Sequence, residues 1–111
     1  MKIEQYDLWL ANLNPGKGTE PGKTRPVVVV QTDLLNDFHP STLICPITTK
    51  VNTELHLLRV HLRKSGLDKP SDILVDQIRA IDNKRLIERL GKLNKKQVEA
   101  LKRNIRIVLD V

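Results

Sequence analysis

Polar side chains able to do chemistry gather at three points where a strand should meet a loop. Glu20, Lys23 and Arg25 fall in the stretch Gly16 to Gln31 (GKGTEPGKTRPVVVVQ), Thr48 and Thr49 close an apolar run, and Asp76, Gln77 and Arg79 stand among apolar neighbours. Arg25 sits where a cationic glycine loop gives way to a valine strand, a placement suited to phosphate: a guanidinium is always charged and its planar fork matches phosphate oxygens. The strand holds its base while solvent reaches its tip. A threonine hydroxyl can donate to the same kind of group. Taken singly, each residue also has a plainer reading. Glu20 and Asp76 could pair with surface lysines, Thr48 is a common strand residue, and Gln77 could satisfy a backbone group in a bend.

Other chemistries find less support. Gly22-Lys23-Thr24 looks like the end of a phosphate-cradling P-loop, but the glycine required five positions earlier is Lys17, and valines rather than a helix follow. His39, His56, His61 and Cys45 show no metal-ligand spacing, and the carboxylates do not cluster, so no metal and no cofactor is expected. His61 on the 57–62 strand and His56 just before it read as solvated. Ser41, Ser65 and Ser71 read as turn residues, and Cys45, between Ile44 and Pro46, reads as a small buried hydrophobe rather than a nucleophile.

The chain has 111 residues, enough for one domain with a modest core, so residues 1–111 are read as a single unit. A net charge of +6, from 19 Lys and Arg against 13 Asp and Glu, points to a polyanionic partner, nucleic acid first, or else to a solvated basic face. Tyr6, Trp9 and Phe38 are the whole aromatic supply, so a base-stacking platform would be small or built from arginine planes. No apolar run is long enough to span a bilayer, and Met1 to Gln5 lacks an apolar signal core, so a cytoplasmic protein without membrane contact is expected. One cysteine excludes an internal disulfide.

The elements that must position these residues follow from periodicity. Tyr6 to Leu13 alternates as a strand, with Tyr6, Leu8 and Leu10 on one face and Trp9, Ala11 and Leu13 on the other. Val27 to Val30 predicts a strand buried on both faces. A short helical turn should begin at Thr32 or Asp33 and end at His39-Pro40. Strands follow at 42–49, 57–62, 73–81 and 85–90, with a charged link over 63–72. Asn94, with Gln97 three residues on, predicts a capping box for one helix whose inner face is Val98, Leu101, Ile105 and Val108. The segment 105–111 reads as packed helix and strand. The fold expected is mainly β with a C-terminal helix, a small SH3-like antiparallel barrel or strongly curved sheet.

Three segments in order resemble one family. Gly18 to Pro26 (GTEPGKTRP) followed by valines is similar to the signature of the MazF/PemK toxins of toxin–antitoxin modules. Tyr6-Asp7-Leu8-Trp9 resembles the family's opening strand, Pro46-Ile47-Thr48-Thr49 its Pro-Leu/Ile-Thr segment, and Asp76 to Asp82 (DQIRAID) its Asp/Glu-Gln-Ile/Leu-Arg segment. Tyr6 replaces a usual glycine and Ala80 a usual threonine. The resemblance covers nearly the whole chain. It implies a MazF-type fold and a sequence-selective, metal-independent endoribonuclease that cuts single-stranded RNA. It also implies a homodimer whose interface carries the RNA channel, and a cognate antitoxin with an acidic, partly disordered tail. Arg25 and Thr48 match the family's catalytic pair. Glu20 and Gln77 fall in segments that help form its RNA groove, and Lys23 and Thr49 are their neighbours there.

The chemistry agrees with this. RNA carries its own nucleophile, the 2′-OH, so an enzyme need only align it, stabilise charge on the non-bridging oxygens and protonate the leaving 5′-oxygen. Arg25 suits the second task, but a group with a pKa above ~12 is a poor general base, so the base is left unassigned. Two other readings stay open: a basic barrel that binds nucleic acid without cutting it, and a toxin of the same fold that poisons DNA gyrase. The C-terminal segment, Ile105 to Val111, lacks the exposed aromatic hook the latter suggests.

Overall fold

The computed structural model describes residues 2–19, 22–63 and 66–111. Strand β1 (Asp7–Asn12) pairs with β2 (Thr24–Val29), which pairs with β3 (Ser41–Thr48). The other edge of β3 is shared by β5 (Ser71–Leu74) and β6 (Arg79–Asp82), while β4 (Arg59–Leu62) lies outside β5 and β7 (Leu86–Lys92) outside β1. All these pairings are antiparallel, and the seven-stranded sheet runs β4-β5-β3-β2-β1-β7 with β6 branching from β3. Helix α1 (Lys95–Leu109) follows. The mainly β chain with a C-terminal helix is as expected. The sheet does not close into a barrel, however: β4 and β7 are its two ends, and α1 packs beside one of them.

Alternation in the valine strand explains the layering. Val28 and Val30 join Leu8, Cys45, Ile47, Ile73 and Leu101 in a core under α1, whereas Val27 and Val29 join Trp9, Ala11, Leu13 and Ile44 on the opposite face. Burying each valine contributes roughly 1.5–3 kcal/mol, so both faces fix the register of β2. The capping box is present: Asn94 Oδ1 accepts from Gln97 N at 2.9 Å, and Gln97 Oε1 accepts from Asn94 N at 2.9 Å.

Three expectations change. The strand expected over 73–81 is broken by a 3₁₀ turn, Val75–Gln77, because the chain must slide along β3 between its pairing at Ile47–Thr48 and that at Ser41–Ile44. The charged link ends earlier than its composition suggests, since Ser71 and Asp72 are already strand, as is Ser41. The short helical turn expected after Thr32 is present: Leu35 N and Asn36 N donate to the Thr32 carbonyl at 3.0 and 3.3 Å, and His39 N donates to the Leu35 carbonyl at 3.0 Å. After α1 no strand follows; Asp110 adopts a left-handed φ of 56° that ends the helix.

Candidate functional site

Arg25 is the second residue of β2, at the junction of loop and strand as expected. The ladder runs Val29 opposite Ile44, Val28 opposite Cys45 and Val27 opposite Pro46. The same count carried two residues further places Arg25 opposite Thr48, on one face of the sheet. Both line a cleft of about 430 Å³ with Lys23, Thr24, Thr49 and Lys50. Three cations and three threonine hydroxyls therefore converge, and no acidic side chain is among the described residues that line it. That is a site for a negatively charged, oxygen-rich group.

The glycine loop positions the cations through backbone contacts. Arg25 Nε donates to the Gly22 carbonyl at 2.9 Å, which holds the guanidinium back over its own loop. Lys23 takes a left-handed φ of 67°, its N–H donating to Asn14 Oδ1 at 2.6 Å and its carbonyl accepting from Leu13 N at 2.8 Å. Arg85 closes the base of the loop, its Nη1 donating to the carbonyls of Asn12 and Asn14 at 3.0 and 2.7 Å. A side chain at Gly22 would put its Cβ 2.7 Å from Gly16 N and 3.0 Å from Gly16 Cα, so both arms of the loop would have to part. Gly22→Ala is accordingly expected to cost up to about 10²-fold in activity by displacing the carbonyl that holds Arg25. Melting temperature should scarcely move, and activity assayed beside a thermal melt checks both.

On the other wall, Thr48 Oγ1 accepts from Lys50 N at 3.1 Å, which leaves the hydroxyl hydrogen to be donated elsewhere. Beyond Thr48 the ladder places Asp72, fully buried and gripped by Asn52 N at 2.9 Å, Arg59 Nη1 at 3.0 Å and His61 Nδ1 at 2.6 Å. Burial pushes this carboxyl up, yet those hydrogen bonds outweigh it and hold it below the usual aspartate value. His61 is thus part of a buried cluster, not the solvated histidine its alternation suggests.

The remaining candidates separate. Thr49 lines the cleft and also a neighbouring one formed with Leu67, Asp68 and Lys69. Gln77 is in the 3₁₀ turn and is not among the cleft-lining residues. Glu20 lies outside the described residues. Lys50, Asp72 and Arg85 were missed: Lys50 and Arg85 look like ordinary surface cations, and Asp72 falls in the link whose strand pairing periodicity could not show. Cys45 is buried, and burial, with the Asp76 charge behind it, pushes its thiol up to about 12, so it is inert as a nucleophile. Among the described residues no group of three His, Cys, Asp or Glu side chains is placed to hold a metal ion, and no helix is long and apolar enough to cross a membrane.

Comparison with known proteins identifies the family and agrees with the fold. Residues 4–109 match the family model described as PemK-like, MazF-like toxin of type II toxin-antitoxin system. A relative named Endoribonuclease MazF, from Staphylococcus saprophyticus, is 39% identical, covering 98% of this chain and 92% of its own. The fold is similar to MazF from Deinococcus radiodurans, with a TM-score of 0.86 at 21% identity over 100% of this chain and 99% of that one. It is also similar to an endoribonuclease in complex with its cognate antitoxin from Mycobacterial species, with a TM-score of 0.82 at 14% identity over 98% and 96%. The chain belongs to the PemK-like, MazF-like family of type II toxin–antitoxin toxins.

Proposed function

We propose that the protein is an endoribonuclease, the toxin of a toxin–antitoxin pair, that cuts single-stranded RNA sequence-selectively and without a metal. The observation that carries this is the cleft in which Arg25 faces Thr48 beside Lys23 and Lys50 with no acid among the described lining residues. Arg25 stabilises charge growing on the non-bridging oxygens of the scissile phosphate, and the Thr48 hydroxyl donates to the same phosphate. The 2′-OH attacks in line, the P–O5′ bond breaks, and the products are a 2′,3′-cyclic phosphate and a 5′-hydroxyl. Lys23 and Thr49 bind the flanking backbone, and Glu20 and Gln77 act in the RNA groove, Gln77 from outside the cleft lining.

The whole chain, residues 1–111, acts as one toxin domain in the cytoplasm. It works as a homodimer, for which the exposed Leu34 and Phe38 (86% and 85% accessible) offer apolar surface; a solution mass twice that of the chain is the check. The antitoxin is an acidic, partly disordered chain drawn to the basic surface, where it competes with RNA.

Incubation with a long single-stranded RNA should give discrete fragments, equally well in EDTA, bearing the cyclic phosphate and the 5′-hydroxyl. A 3′-hydroxyl product, or activity abolished by EDTA, rejects the mechanism. Uncut RNA held in a complex supports the binding module instead.

A further inference from the structure

The sheet face that carries Arg25 and Thr48 does not end there. Thr48 stands opposite Asp72, and Asp72 opposite His61, so Arg25, Thr48, Asp72 and His61 form one row across β2, β3, β5 and β4. At about 4.8 Å per strand, His61 lies roughly 14 Å from Arg25. Arg59, two residues before His61, shares its face.

Between β4 and α1 opens a second cleft, of about 310 Å³, whose polar lining includes His56, Arg59, His61, Lys96, Arg103 and Asn104. No carboxylate is among the described residues that line it. Asp72, buried behind it, fixes both Arg59 and His61, and Asn104 Nδ2 donates to the carbonyls of His56 and Arg59 at 3.0 Å each, tying the helix to the approach of β4. With Nδ1 held by Asp72, His61 Nε2 is buried and has no hydrogen-bond partner among the described residues. So the walls are built, their charge is one-sided, and one buried nitrogen is left unsatisfied.

We propose that this cleft is a second phosphate-binding position, which takes the backbone of the RNA whose scissile phosphate lies between Arg25 and Thr48. The inference rests on the nuclease reading above and goes beyond it. Three features favour an RNA chain over an acidic peptide. The cleft continues the row of side chains that holds the catalytic pair. Arg59 Nη1 also donates to the Lys50 carbonyl at 2.7 Å, so the two clefts share a wall. Lys96 and Arg103, seven residues apart on α1, are spaced about 10 Å along the helix, which suits successive backbone charges rather than one small anion. A phosphate oxygen reaching His61 gives Nε2 the partner it lacks.

The test uses full-length protein, the cut site mapped on a long RNA, and a hexanucleotide centred on that site. Lys96→Gln with Arg103→Gln removes two exposed cations from a helix that tolerates glutamine. The charge-matched control, Lys102→Gln with Arg106→Gln, lies on the same helix outside the cleft. On the long RNA, the first pair should raise KM about tenfold with kcat unchanged and flatten the salt dependence of binding by roughly 0.7 per lost contact. The hexanucleotide should be cut as by wild type, and the control should change KM less than twofold. Equal effects of the two pairs would overturn the site in favour of diffuse attraction. Unchanged RNA kinetics together with weakened binding of an acidic peptide would assign the cleft to a protein partner instead. If wild type binds but does not cut the long RNA, the nuclease reading fails with it, a result distinct from either.

Discussion

Arg25→Ala is expected to slow RNA cleavage by about 10²–10³-fold, the usual cost of removing a donor aimed at developing negative charge in a closed site. Arg25 faces Thr48 in a cleft whose other charged lining groups are lysines, and a lysine offers a point charge where the guanidinium offers a planar fork. Arg25→Lys should therefore recover only part of the loss. Stability should hold, because the side chain is half-buried at the rim of the valine core and its one hydrogen bond with a described partner, to the Gly22 carbonyl, is worth about 1 kcal/mol. A circular-dichroism melt beside the rate assay separates the two. Collapse of the fold, or a rate within a few-fold of wild type, would contradict the role given to Arg25.

Asp72→Ala should have the largest effect on stability, about 3 kcal/mol. Removing one member of a buried charge cluster leaves the others unpaired, and here Arg59, His61 and the Asn52 N–H lose their common acceptor. The 50–58 segment that follows β3 should loosen with it. The same cluster sets the acid limit of the fold. An aspartate free in the unfolded chain takes its proton near 3.8, but folded Asp72 does so at lower pH. Between those values the unfolded state binds more protons, so this contribution is complete above about pH 4 and is lost as pH falls further. Denaturant melts should show a steep drop below pH 4 in wild type and a shallower one in Asp72→Asn.

How far the sequence disclosed this is clear from particular residues. The capping box at Asn94 and Gln97 was legible because its signal is local, three residues apart. The split of the valines between two cores was legible because a period of two leaves no other arrangement. Arg25 and Thr48 could be named from motif resemblance, but their facing one another is a matter of register across two strands, which only a folded chain fixes. Periodicity failed at Val75–Gln77, where a 3₁₀ turn keeps the apolar character of the flanking strands while breaking their geometry. It failed too at Asp72, a charged residue that reads as surface and is fully buried. His61 went with it, since alternation marks a face without saying what folds over it.

The account depends on the RNA supplying its own nucleophile while Arg25 and Thr48 hold the phosphate. The most direct measurement is cleavage of an oligonucleotide in which the nucleotide 5′ to the mapped cut carries hydrogen in place of its 2′-OH. The account predicts no cut at that bond, with binding of the oligonucleotide kept within a few-fold of the unmodified strand. Cleavage that persists at the modified linkage would mean that another nucleophile does the work.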